Sequence, residues 1–428
     1  MSRPEIKQIE KIDFPSYEKI ALSNNIEVSM LKAPSPDIIK MDIVLDAGRY
    51  YEKAKAVAKT TANLINDGTR TMTSKQIAEK IDYYGATLNM GANMDTAEIH
   101  LYCLSKYFDR LLPLVRDILT LATFPEDELE KYKKRNIEKL NIELSKNEVL
   151  SYRYFTEKLF GFDHPYGYNT EVEDYQNIRR EQLLSHYNEY YGAGNMKIFI
   201  TGNLDDQKLR ILDTYLGSLN KNASKTAFDI KYDKNTGTGQ YVFEGKGEYQ
   251  AAIKIGRPMF TREHPDYPAM YVLNTIVGGY FGSRLNANIR ESKGFTYGIY
   301  SSLDMMRHDG YFMIATEVGR QYTQDTLAEI YKELEVLQNE PVSEDELQLV
   351  KNYIKGNFLS MINGHINTIR LIKTIETAGL GKDFFNTFIE KIDSITPARL
   401  LEAAKKYFAF DSLTGVLVTP QKKTFPLP

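Results

Sequence analysis

Metal-assisted hydrolysis needs ligands on one rigid face and a base beside the bound water, so a helix that does it carries two histidines about a turn apart with a glutamate near by. The chain has six histidines, His100, His164, His186, His264, His308 and His365, and no two of them lie within five positions of each other. Spacing therefore defines no helical pair and leaves open only a site gathered from distant parts of the chain. Singly, each histidine reads as a structural residue; His164 and His264 both precede a proline, where a turn is natural. Cys103 is the only cysteine, which excludes intramolecular disulfides and thiolate metal clusters. It stands in the alternating stretch EIHLYCL and is expected to be a small buried apolar residue rather than a nucleophile. No Gly-x-Ser-x-Gly elbow, Walker loop or Gly-x-Gly-x-x-Gly at a strand-to-helix turn is present.

Gly278-Gly279 is the nearest approach to a glycine-rich loop, in NTIVGGYFGSRLNANIRESKGFTYGIYSS. This stretch predicts helix, glycine break, a helix from about Ser283 to Glu291, a turn at Gly294 and then a strand on which Phe295, Tyr297 and Ile299 share a face. Arg290 at the helix end and Tyr297 on the strand would then reach a common point. A guanidinium and a phenol there are two donors suited to a carbonyl oxygen. With 30 tyrosines in the chain, the pattern alone more readily describes a packed phenol and a solvated guanidinium.

The elements that would position these residues are written twice. Glu126-Asp127-Glu128-Leu129 recurs as Glu344-Asp345-Glu346-Leu347, about 218 residues on, and Lys133 falls on Lys351 in the same frame. Both copies place carboxylates in the first turn of a long helical pattern, where the helix dipole favours them. MKIFITG (196–202) lands on TGVLVTP (414–420), and each follows a helix ending in aromatics, LLSHYNEYY and LLEAAKKYF. Within each half the pattern reads strands, helices, a strand hairpin, more helices and a closing strand, an α+β layout. In KMDIVLDAG, Met41, Ile43, Leu45 and Ala47 share one face, and Lys40, Asp42 and Asp46 share another that is expected to be wetter. YFDRLLPLVRDILTLA has helical spacing despite Pro113. The polar segment from Asn220 to Gln240 reads as a linker, which divides the chain into domains 1–219 and 241–428.

At 428 residues the chain is long enough for two cores, and 42% hydrophobic residues with 26% charged describe a globular protein. A formal net charge of −3 provides no basic field for a phosphate backbone, so nucleic acid is not an expected partner. No apolar run is long enough to span a bilayer and the opening MSRPEIKQIEKIDF is not a secretory signal, so a cytoplasmic location is expected, or a periplasmic one if a leader has been removed. Abundant Lys, Asn and Tyr without Trp fit an AT-rich bacterial genome.

The stretch EHPDYPAMYVLNTIVGGYFGSRLNANIRESKGFTYGIYSS resembles the second-domain signature of the pitrilysin and mitochondrial-processing-peptidase superfamily, with Ser283-Arg284-Leu285, Arg290-Glu291, Gly294 and Tyr297 in order. GATLNMGANMD (85–95), GFDHPYG (161–167) and GNMKIFITGNLDD (194–206) are similar to first-domain landmarks, so the likeness spans nearly the whole chain. It implies two homologous α+β domains, each a mostly antiparallel sheet covered by helices, forming half of a clamshell around unfolded peptide. Active members carry His-x-x-Glu-His on a helix shortly before a Gly-Thr. Here AVAKTTANLINDGT occupies that place, with Lys59, Ala62 and Asn63 where the first histidine, the general base and the second histidine would stand. The third ligand of the family would fall near Glu138 or Glu143, and one carboxylate does not hold zinc alone. The resemblance thus implies a subunit without its own metal and inactive alone, which supplies Arg290 and Tyr297 to a zinc-bearing partner of the same family that cuts short or unfolded peptides. A scaffold with no part in proteolysis is the alternative, and an independent hydrolase with a new metal site is a third.

Overall fold

The computed structural model describes residues 12–33, 37–220, 237–247 and 249–420. In the first half these form β1 (Glu18–Ala21), β2 (Glu27–Lys32), β3 (Ile38–Leu45), α1 (Val57–Leu64), α2 (Ser74–Tyr83), β4 (Thr87–Ala92), β5 (Ala97–Leu104), α3 (Phe108–Leu121), α4 (Glu126–Glu143), α5 (Asn147–Phe160), α6 (Val172–Asn177), α7 (Arg180–Tyr190), β6 (Met196–Gly202) and α8 (Asp206–Leu216). The second half gives β7 (Gly239–Glu244), β8 (Gln250–Met259), α9 (Tyr267–Asn274), β9 (Ile299–Met305), β10 (Gly310–Gly319), α10 (Thr323–Asn339), α11 (Glu344–Met361), α12 (His365–Thr377), α13 (Phe384–Asp393), α14 (Pro397–Tyr407) and β11 (Thr414–Thr419). The strand orders are β1-β2-β6-β3-β5-β4 and β7-β11-β8-β10-β9. Every pairing is antiparallel except β2 with β6 and β7 with β11, where each closing strand returns beside its half's opening strands. The fold is α+β.

Local sequence explains the element ends. The repeated acidic tetrapeptide opens α4 after Pro125 and α11 after Ser343, whose hydroxyl caps Glu346 N–H, and both helices run for 18 residues. Thr73 and Gln76 form a reciprocal capping box at the start of α2. Pro113 lies inside α3 without ending it. Of the expected linker, residues 221–236 lie outside the described residues, and Gly239 and Gln240 are already strand, paired in parallel with Thr414 and Gly415 of β11.

The helix that follows each long acidic helix crosses to the other half. Helix α5 packs on β8 and β11, while α12, its counterpart one repeat later, packs on β2 and β6. Consequently the apolar core of the first half takes in Tyr311, Met313, Val416 and Val418 from the second sheet. Val44 and Phe199 of the first sheet are likewise sealed by Ile369 and Ile372 of α12. This crossing corrects the expectation of a wet face on β3: Lys40 and Asp42 are 2% and 0% exposed, because α12 lies over them. Buried charges must be paired. Asp42 accepts from Lys40 at 2.5 Å and pairs with His100 at 2.9 Å and Lys373 of α12 at 3.1 Å; Lys373 also meets Glu98 at 2.5 Å. Burial alone would raise the Asp42 pKa, but the His100 hydrogen bond and the charges of Lys373 and Lys40 hold it well below the carboxylate range. Burial lowers that of Lys40.

The tip of the β9–β10 hairpin joins the halves a second time. Arg307 N–H donates to Asp95 at the β4–β5 tip at 2.9 Å, and its guanidinium reaches Asp46 at 2.6 Å and the Thr377 carbonyl at 3.2 Å. His308 stacks on Tyr50 with ring centroids 4.1 Å apart. Cys103 is buried in the first sheet, and burial pushes its thiol up to about 12. No helix among the described residues is long and apolar enough to cross a membrane.

Candidate functional site

The segment after α9 departs from regular helix twice. Thr275–Gly279 and Asn286–Ser292 are wide, π-type turns on either side of the glycine break, a conformation that carries an extra residue per turn and is frequent at functional sites. Gly278 is required here because a Cβ would stand 2.4 Å from Ser301 N of β9, so the break lies flat against the strand. Tyr280 leans on Tyr353 of α11 with ring centroids 4.7 Å apart, and its carbonyl accepts from Ser283 N–H at 3.1 Å. Arg284 grips Glu346 of α11 through two nitrogens, at 2.9 and 2.7 Å. The loop is thereby fixed on both sides.

Arg290 sits in the second wide turn, anchored by buried Leu285 and Ile289, with its guanidinium over the ring of Phe281, 4.7 Å from the centroid. The chain reverses at Gly294, whose φ of +65° favours glycine, and Phe295 N–H returns to the Ile289 carbonyl at 3.1 Å. The expected strand begins later than the sequence pattern implied. β9 starts at Ile299, so Phe295 and Tyr297 precede it; Phe295 stacks on Tyr322, while Thr296 donates to the Glu317 carbonyl at 2.7 Å and pins the loop. Tyr297 is left 95% exposed. Among the described residues, no hydrogen bond or ion pair is made by the side chain of Arg290 or Tyr297. They are two uncommitted donors on one braced loop, and Phe281, 63% exposed beneath the guanidinium, is a neighbour that sequence reasoning missed. Its signal was an aromatic between two glycine positions, Gly279 and Gly282, where a solvated turn would ordinarily be polar.

Lys59, Ala62 and Asn63 lie on α1, which Glu52 caps by accepting from Ala56 and Ala58 N–H at 3.1 and 2.8 Å. Ala62 is buried, and Asn63 turns back to donate to the Lys59 carbonyl at 2.7 Å. The pKa of the Lys59 ammonium is lowered by desolvation and then by Lys139 of α4, against the opposing pull of Glu143. Glu143 also pairs with Lys139 on α4 at 3.8 Å. A site holding an ammonium, a methyl and a carboxamide lacks two neutral nitrogens for a dication and any base for its water. Among the described residues no group of three or more His, Cys, Asp and Glu is arranged to hold a metal ion.

The histidines serve as fasteners. His186 is hydrogen-bonded to the Ala47 carbonyl at 3.1 Å, His164 Nδ1 accepts from Tyr166 N–H at 3.0 Å, His264 Nδ1 accepts from Asp266 N–H at 3.1 Å, and His365 meets Thr201 at 3.1 Å.

This is a duplicated α+β architecture whose second half carries an arginine and a tyrosine on a braced loop and whose helix α1 bears Lys59, Ala62 and Asn63. The Peptidase M16 inactive domain model matches residues 177–354. An uncharacterized zinc protease of Rickettsia felis is 26% identical over 349 residues, 79% of this chain and 82% of the relative. The uncharacterized zinc protease YmxG of Bacillus subtilis is 22% identical over 347 residues, 80% and 83% of the two chains. A Helicobacter pylori protein named non-peptidase homolog YmxG is 22% identical over 381 residues, 86% and 85% of the two chains. Among solved structures, a peptidase M16 inactive domain from Pseudomonas fluorescens superposes with a TM-score of 0.85 at 22% identity, over 96% of this chain and 100% of that one. A protease from Helicobacter pylori gives 0.86 at 18% identity, over 95% and 100%. The chain is thus similar to M16 zinc proteases and to a non-peptidase homologue over most of its length, and it shares the fold of the two solved structures.

Proposed function

We propose that the chain is the peptide-binding subunit of a two-chain zinc metallopeptidase, presenting Arg290 and Tyr297 to the active site of a zinc-bearing partner of the same family. The observation that carries this reading is the pair of unengaged donors. A half-buried guanidinium normally finds a carboxylate or carbonyl in its own chain, whereas Arg290 lies over the Phe281 ring and, among the described residues, makes no hydrogen bond or ion pair through its side chain. A peptide carbonyl held near a scissile bond is a fitting acceptor, and each such charge-assisted or phenolic hydrogen bond is worth about 1.5–3 kcal/mol. The substrate would be short or unfolded polypeptide, since only an extended chain exposes its backbone carbonyls to an Arg/Tyr pair. Zinc and the general base belong to the partner, because Lys59, Ala62 and Asn63 offer neither. The name non-peptidase homolog given to the Helicobacter relative supports a chain that works without its own catalysis.

The test is co-expression with an M16 chain that carries His-x-x-Glu-His, followed by turnover of a fluorogenic peptide. Arg290→Ala and Tyr297→Phe in this chain should each lower kcat/KM by about ten- to a hundred-fold. Unchanged turnover in both variants would return the chain to the scaffold reading. Stoichiometric zinc in the isolated chain, measured by elemental analysis, would instead favour an independent hydrolase.

A further inference from the structure

We propose that Phe281 is a positioning residue for Arg290, holding the guanidinium face so that its N–H edge points outward for a peptide carbonyl; this rests on the peptide-binding reading of Arg290. Two features of Phe281 are at odds with a solvated loop. The residue is 63% exposed although the loop that bears it is braced, and the Arg290 guanidinium lies over its ring, 4.7 Å from the centroid. An aromatic ring attracts a guanidinium through the ring face, which occupies the flat side of the cation and leaves its in-plane N–H donors free. A carboxylate in the same place would fix Arg290 as well but would consume those donors. Phe281 therefore orders the side chain without competing with a ligand.

The backbone makes the placement rigid. A Cβ at Gly282 would stand 2.8 Å from Tyr280 Cε2, and Asn286 Nδ2 donates to the Tyr280 carbonyl at 3.3 Å, so residues 280–282 are held against the turn that carries Arg290. The wide turn at 286–292 brings Arg290 back over the loop. Losing the ring would free a long side chain to sample many rotamers, and ordering it again would fall to the ligand.

The experiment uses the full chain and fluorescein-labelled casein as an unfolded probe, read by anisotropy, together with the arginine Nε–Hε NMR spectrum, in which the Arg290 signal is assigned by its disappearance in Arg290→Ala. Phe281→Leu is expected to shift that signal by removing the ring current and to weaken casein binding about two- to five-fold, the range for an exposed cation–π contact. Phe281→Trp should restore both. In the Arg290→Ala background, Phe281→Leu should add nothing, because Phe281 acts through Arg290. Additive losses in the double variant would overturn the proposal and make Phe281 a direct peptide contact. An unshifted Arg290 signal in Phe281→Leu, or unchanged binding there while Arg290→Ala still weakens it, would overturn the positioning role alone. Wild-type binding in Arg290→Ala itself would remove the peptide-binding reading and the positioning role together.

Discussion

Arg290 and Tyr297 contribute little to the folded state, since among the described residues neither side chain makes a hydrogen bond or ion pair and Arg290 meets only an exposed ring face, and this separates them from residues that hold the molecule together. Arg290→Ala and Tyr297→Phe should each leave stability within about 0.5 kcal/mol of the parent in a urea titration, as surface changes generally do. His186 is the opposite case. It is buried against Ala47, and burial lowers its pKa to about 4. Its folded pKa lies below the unfolded value of about 6.5, so the unfolded chain binds the proton first on acidification. Stability contributed by the neutral ring is complete above about pH 6.5 and is lost as pH falls toward 4, by about 3 kcal/mol in all. Urea midpoints from pH 7 to 4.5 should fall over that window, and His186→Gln, which can still donate to Ala47, should flatten the curve. Arg290, Gly294 and Tyr297 were singled out by the resemblance of their order to a family signature, since residue types and spacing alone describe a packed phenol and a solvated guanidinium equally well. Phe281 was not, because a ring serving as a platform has no motif of its own and is recognised only by what lies above it.

At the level of elements, alternation on β3 identified the strand and misjudged its second face. A period of two says which residues share a side, but what covers that side comes from α12, far along the chain. The same alternation thus describes both a solvated face and one sealed by ion pairs. The consequence is measurable. Asp42→Leu leaves Lys40 and Lys373 facing each other in a buried site and should cost about 3–5 kcal/mol by urea denaturation. Replacing the three together, Lys40→Met, Asp42→Leu and Lys373→Met, should recover most of that loss, because the cost lies in the stranded charges. The start of β9 shows a similar limit. Phe295, Tyr297 and Ile299 alternate as a strand would, yet Thr296 spends its hydroxyl on the Glu317 carbonyl and holds the segment off the ladder.

For the molecule as a whole, the repeat at about 218 residues disclosed two copies of one plan, and the crossing of α5 and α12 shows that neither copy completes its own interior. Produced as separate chains, 1–220 and 237–428 should each bind the dye ANS through the apolar surface left by the missing helix, and mixing them should abolish that fluorescence with formation of a one-to-one complex on sedimentation. Two well-folded, dye-silent halves would contradict the reciprocal packing. The exchange also bears on how such a chain arises. A one-copy ancestor built this way could be stable only beside its twin, at a concentration that kept pairs together. Tandem fusion would make the twin permanent and free the two copies to differ in sequence. The two copies need not carry the same residues at matching places, since each lends its neighbour the helix that closes it whatever stands on α1 or on the arginine loop.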